Sequence, residues 1–152
     1  MTAAPGPDQV AIPALLRAAR GAYALAILTR LSEGGFDDLP RNAPYVLGGM
    51  ANRGGSVSDL IRDLDVTKQA ASQLIDTLVV RGYLSREVNP ADRRRLTISL
   101  TERGLAAAAA VRAGVADVDA QLGQLCDPRQ IAGLRAGLDA LRQVRERLEA
   151  ER

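Results

Sequence analysis

The stretch SDLIRDLDVTKQAASQLIDTLVVRGYLSREVNPADRRRLTISLTERG, residues 58–104, changes its hydrophobic period part-way along. From Ser58 to Leu78 the apolar residues recur every three or four positions: Leu60, Ile61 and Leu64, then Ala71, Leu74, Ile75 and Leu78. That spacing predicts two short amphipathic helices. Ser58 is a candidate N-cap for the first and Asp65 or Thr67 for the second, because a short side-chain oxygen satisfies the orphan amides of a helix start. Gly82 fits the stop of the second helix. In Arg95–Leu100 the apolar residues Leu96, Ile98 and Leu100 alternate instead, the period of a half-buried strand. Leu84–Val88 reads as its partner. Between them, Asn89-Pro90-Ala91-Asp92-Arg93-Arg94 has turn chemistry and two exposed cations. Helix, helix and β-hairpin in this order read as a helix-turn-helix with a wing.

Working outward, Val10–Leu31 carries Leu15, Leu16, Ala19, Tyr23, Ile27 and Leu31 at helical spacing, and Gly34-Gly35 stops it. Pro40 and Pro44 open a shorter segment through Val46, Leu47 and Met50 that ends near Gly54-Gly55. Beyond Thr101, another candidate cap, runs an Ala-rich helix with Ala106–Ala110, Val111, Val115, Val118 and Leu122. Asp127-Pro128 pairs an N-cap with a first-turn proline. The last helix bears Ile131, Leu134, Leu138, Leu141, Val144 and Leu148. The fold class is therefore mainly α with a small β-hairpin wing. It is a single winged helix-turn-helix domain, 1–152, with its lobe at about 40–100 and N- and C-terminal flanking helices, candidate dimerisation helices, at about 10–35 and 101–150. The flanking helices offer more apolar face than a small winged module covers. A second copy across a two-fold axis is the simplest partner; an intramolecular bundle is the alternative.

Composition removes most enzyme classes. With 152 residues, 47% of them hydrophobic, the chain holds one domain's core. It has no histidine, which excludes Ser-His-Asp and Cys-His catalysis and His-ligated zinc. No carboxylate or thiolate spacing suggests another metal site. The glycine pairs 34-35, 48-49 and 54-55 lack the strand–helix setting of a phosphate loop. No enzyme activity, cofactor or metal is expected. Cys126 is the single cysteine, so no intrachain disulfide forms. The longest uncharged run, Asn42–Asn52, predicts no membrane span. Met1–Pro7 reads as a frayed tail, not a signal peptide. Net charge is only +2, with 20 basic residues against 18 acidic ones. The distribution says more: Arg81–Arg95 holds five arginines against Glu87 and Asp92.

These strings resemble the MarR family of bacterial transcriptional regulators. Residues 58–78 are similar to its helix-turn-helix, and Arg81-Gly82-Tyr83-Leu84 to its RGYL helix end. Asn89-Pro90-Ala91-Asp92-Arg93-Arg94 is similar to its DP-x-D-x-R wing, with Asn89 where aspartate is usual. Leu100-Thr101-Glu102-Arg103-Gly104 is similar to the LTERG that opens the helix after the wing. The resemblance implies a cytoplasmic, DNA-binding homodimer, found on the bacterial nucleoid when bound to a pseudo-palindromic operator. It implies a repressor of transcription whose partners are double-stranded DNA, a second copy of itself and a small aromatic or anionic effector.

The residues supply the matching chemistry. A recognition helix enters the major groove by its N-terminal half. With Ala71, Leu74, Ile75 and Leu78 turned inward, the outward set is Lys68, Gln69, Ser72, Gln73 and Asp76. Glutamine can pair with adenine N6 and N7, and serine can donate or accept. Lys68 can reach phosphate or guanine, and Thr67 caps the helix beside phosphate. Ala70 leaves room for close approach or a thymine methyl. The expected DNA-binding set is thus Thr67, Lys68, Gln69, Ser72 and Gln73, with Arg93 and Arg94 at the wing tip and Arg62 and Arg95 as further phosphate candidates. Arg62 could equally pair with Asp59 or Asp63. By the resemblance Arg94 inserts into the minor groove, where narrow A·T tracts concentrate negative potential; Asp92 orients it as wing support. Also by the resemblance, an effector binds between the dimer helices and the DNA-binding lobe. Candidates there are Tyr23, Ile27, Phe36, Tyr45 and Met50, with Leu47 beside them and Arg17, Arg20 and Arg41 as cationic handles; the same set would also serve as plain core. Two other readings stand beside the regulator: a helical protein-interaction module without specific DNA binding, and a thiol-based redox sensor through Cys126.

Overall fold

The computed structural model describes residues 6–53, 67–88 and 96–151. A 3-10 turn at Pro7–Gln9 precedes α1 (Ile12–Glu33), α2 (Ala43–Arg53), α3 (Lys68–Val80), β1 (Leu84–Val88), β2 (Leu96–Leu100), α4 (Glu102–Leu125) and α5 (Pro128–Ala150). The helix expected at Ser58–Leu64, with its cap, lies outside the described residues, as does Asp65. The chain divides into two compact units, Met1–Ala116 and Asp117–Arg152.

The first unit is built around six fully buried side chains: Leu31, Val46, Leu47, Leu78, Tyr83 and Leu84. They come from α1, α2, α3 and the start of β1, with Ala107, Ala108 and Val111 of α4 filling in. Small residues on α4 permit this. A Cβ at Gly114 would lie 2.7 Å from the Ile27 backbone, so α4 crosses α1 in direct backbone contact there.

α1 ends as its sequence predicts. Gly34 caps it and Gly35, at φ +75°, turns the chain, a conformation open to glycine without a Cβ penalty. Its burial is less uniform than its stripe suggests. Ile27 and Leu31 are buried, whereas Leu15 and Leu16 stay exposed. At 22 residues, about 33 Å by helical rise, α1 outruns the core it packs on. Among the described residues α1 is also the one helix long and apolar enough to cross a membrane. Run length alone overlooked it, because Arg17 and Arg20 interrupt its apolar sequence.

The hairpin is antiparallel, with Leu84 opposite Leu100, Arg86 opposite Ile98 and Glu87 opposite Thr97. Alternation puts Leu84, Arg86, Ile98 and Leu100 on one face. Leu84 is buried and Ile98 and Leu100 pack half-buried against the core.

In the second unit, Asp127 caps α5. Its carboxylate accepts from the amides of Arg129 at 2.7 Å and Gln130 at 2.9 Å, while Gln130 Oε1 accepts from the Asp127 amide at 2.8 Å, a complete capping box. None of the residues of α5 is buried. Leu134, Leu138, Leu141, Val144 and Leu148 are between 42% and 59% exposed. Arg142 pairs with Asp139 and Glu146, and Arg145 with Glu149.

Candidate nucleic-acid interface

α3 is anchored along one side and open along the other. Ala71, Ile75 and Leu78 are buried and Leu74 is half-buried. Lys68, Gln69, Ala70, Ser72, Gln73 and Asp76 are exposed. Of the two candidate caps, the described one, Thr67, acts: its Oγ accepts from the Ala70 amide at 3.2 Å, with Thr67 itself extended at φ −64°, ψ 152°. No acidic residue sits in the first turn. Among the described residues, the helix start therefore combines amide dipoles that no carboxylate offsets with the Lys68 ammonium, an arrangement that favours phosphate.

Asp76 would place a negative charge on that open face. Arg86 of β1 offsets it, with Nη2 2.5 Å from Asp76 Oδ1. Sequence reasoning placed Asp76 in the outward set but missed Arg86. The signal was strand alternation: Arg86 shares a face with the buried Leu84 and so reaches α3.

The turn joining α3 to β1 is clamped from two sides. Gly82 takes φ +73° there. From α4, the Thr101 hydroxyl donates to the Gly82 carbonyl at 2.6 Å and accepts from the Gly104 amide at 3.0 Å, capping that helix as expected. Arg103 Nη1 donates to the Arg81 carbonyl at 2.7 Å. From the α1–α2 loop, Asp38 Oδ1 accepts from the Tyr83 hydroxyl at 2.5 Å and from Arg103 Nη2 at 3.0 Å. The Arg103 guanidinium lies 4.3 Å from the Tyr83 ring centroid, and Phe36 meets Tyr83 edge-on at 6.2 Å. The Tyr83 hydrogen bond and the nearby Arg103 charge hold the Asp38 carboxyl below its usual range. Burial, reinforced by the bond to Asp38, pushes the Tyr83 phenol up to about 12. Sequence reading named the Thr101 cap and the Gly82 stop but did not bring Asp38, Tyr83 and Arg103 together.

The expected wing residues Asp92, Arg93, Arg94 and Arg95, and Arg62 before α3, lie outside the described residues. The strands leading to and from 89–95 are in place.

Three of the five effector-pocket candidates meet. Tyr23, Ile27 and Tyr45 line a cavity of about 360 Å³ together with Arg20, Gly48 and Val111. Arg20 approaches the Tyr45 ring to 5.8 Å. Arg41 joins Arg20 along an adjoining hollow of about 160 Å³. Phe36 lines a different hollow, about 240 Å³, also with Arg41. Met50 packs half-buried against the core, and Leu47 lies fully within it. Cys126 is half-buried between α4 and α5.

The sequence model of the MarR family matches residues 37–95. A search of curated proteins finds no match. Among solved structures, the fold is similar to that of S. aureus MepR in complex with DNA, at TM-score 0.71 and 19% identity, over 90% of this chain and 99% of that one. It is similar to wild-type MarR from E. coli in its apo form, at TM-score 0.61 and 22% identity, over 87% and 96%. It is also similar to S. aureus MepR bound to ethidium bromide, at TM-score 0.56 and 18% identity, over 90% and 98%. The matched segment takes in α3, the clamped turn and β1, and the likeness of fold to these solved structures runs over most of the rest of the chain.

Proposed function

We propose that the chain is a sequence-specific, ligand-responsive transcriptional regulator, a repressor that binds a pseudo-palindromic operator as a homodimer. The observation that carries this reading is the split character of α3. One face is locked into the core, and the other presents Lys68, Gln69, Ser72 and Gln73 from a capped, acid-free helix start. In this reading Gln69, Ser72 and Gln73 meet base edges in the major groove, and Thr67 and Lys68 meet phosphate. Arg93 and Arg94 enter the minor groove from the wing, Asp92 orients Arg94, and Arg62 and Arg95 add phosphate contacts. The apolar stripe of α5 supports a second copy as partner, since five half-exposed aliphatic side chains on one helix face need a cover. The similarity to a protein solved on DNA, and again with ethidium bromide, supports both the DNA reading and a small effector. The cavity at Arg20, Tyr23, Ile27 and Tyr45 suits an aromatic or anionic one, with apolar walls and one cationic handle.

Fluorescence anisotropy on a duplex selected by the protein tests the assignment. Gln73→Ala should weaken that duplex roughly 5- to 150-fold, the worth of one bidentate base contact, and leave random DNA unaffected. Arg94→Ala should lose most operator affinity while the protein stays folded and dimeric. Both variants binding like wild type would overturn the interface. With three to four phosphate contacts per subunit, the log–log salt slope should be roughly −5 to −7.

A further inference from the structure

We propose that Asp38, in the loop between α1 and α2, is a positioning residue for DNA reading: its carboxylate fixes the angle between the recognition helix and the wing. The inference rests on the DNA-binding function proposed above.

One oxygen gathers three elements. Asp38 Oδ1 accepts from Tyr83, the residue just before β1, and from Arg103 in the first turn of α4. The same guanidinium stacks on the Tyr83 ring and holds the Arg81 carbonyl at the end of α3. Residues 81–83 are the hinge between the helix that would lie in the major groove and the strand that leads to the wing. A change in the dihedral angles there swings one against the other. Gly82, in the left-handed conformation, leaves this hinge without a Cβ to stiffen it. Thr101 and Arg103 tether the hinge to α4 alone. From the opposite side Phe36 packs on the Tyr83 ring, and Asp38 supplies the polar tether and also sets the direction of Arg103.

The pair is half in solvent, with side-chain exposures of 44% for Arg103 and 42% for Asp38. An ion pair so exposed contributes little to folding. Its geometric constraint falls instead on the two DNA-reading elements. When Asp38 is changed, stability should therefore fall by no more than the loss of the one Tyr83 hydrogen bond, while operator recognition falls further.

The test uses the full chain and a duplex enriched by the wild-type protein from a random pool. Asp38→Ala should bind that duplex at least tenfold more weakly, while its affinity for unselected DNA stays within twofold. Its salt slope should match wild type, because no phosphate contact has been removed. Asp38→Asn, which keeps an acceptor for the Tyr83 hydroxyl and is the variant to use if Asp38→Ala misfolds, should recover part of the loss. Equal weakening on both DNAs, or a lowered urea midpoint with unchanged operator affinity, would overturn the positioning role. So would wild-type binding by a folded Asp38→Ala. If the wild-type protein enriches no duplex at all, the DNA-binding reading falls and takes this one with it.

Discussion

Replacing Gly104 by alanine strikes the clamp at its tightest contact. A Cβ at 104 would stand 2.1 Å from the Tyr83 carbonyl oxygen and 3.1 Å from both the Tyr83 carbonyl carbon and Leu100 Cδ2. Neither backbone atom can rotate away, so the start of α4 must back off from the 81–83 turn by about 1 Å, which is overpacking costing about 1–3 kcal/mol. The same displacement stretches the Thr101 bond to Gly82 and the Arg103 bond to Arg81, each worth about 1 kcal/mol. Better helix propensity returns about 0.5–1 kcal/mol. The net loss is about 2–4 kcal/mol. Urea unfolding at matched protein concentration reads it: with a slope near 2 kcal/mol/M, the midpoint should fall by about 1–2 M. Gly123→Ala is the control, since nothing lies within 4 Å of its Cβ position; its midpoint should rise slightly. A Gly104→Ala protein that unfolds at the wild-type midpoint with the wild-type slope would refute the reasoning.

Thr67→Ala should cost about 1 kcal/mol by removing the cap that accepts from the Ala70 amide, and Thr67→Ser should restore most of it in the same urea assay. Tyr83 gives a pH dependence. Its folded pKa is raised from 10.0 to about 12, so its contribution is complete below pH 10 and is lost as pH rises toward 12. About 2–3 kcal/mol should disappear over that window, and Tyr83→Phe should abolish the dependence; an unchanged pH–stability curve in Tyr83→Phe would exclude Tyr83 as its source. Leu138→Glu puts a charge in the middle of the α5 stripe, twice over in a symmetric dimer. Light scattering at micromolar concentration should report a monomer, and an intact dimer would mean that the stripe is covered by something else.

Local features of this fold were legible in the sequence and distant ones were not. α3 could be read almost whole: its inward residues follow the 3.6 period, Thr67 is one of the two caps considered, and Gly82 ends it with a positive φ. The strand pair and the Asp127-Pro128 start of α5 were equally visible, because alternation and capping are written within a few neighbouring positions. The stripe on α1 was read as one face, yet only Ile27 and Leu31 found cover in the first unit. Periodicity says which side of a helix is apolar, not how far along it the core extends. The Asp38 cluster escaped entirely. Its bonds span 45 and 65 positions, and each member alone looks like an ordinary surface charge or a core tyrosine. Arg86 escaped for a related reason: alternation puts it on the face of Leu84, but its pairing with Asp76 depends also on how the strand lies against the helix. In the effector set, Tyr23 and Ile27 of α1 and Tyr45 of α2 line one cavity, a juxtaposition between helices that no single period contains, while Phe36 turns toward Tyr83.

The most direct measurement is selection from a random-sequence duplex pool with the purified chain, followed by titration of the enriched duplex at two salt concentrations. The expected result is an inverted repeat that binds two chains per site with a steep salt slope. A folded, dimeric protein, refolded free of any carried-over ligand, that enriches no sequence would contradict the claim that this chain reads DNA.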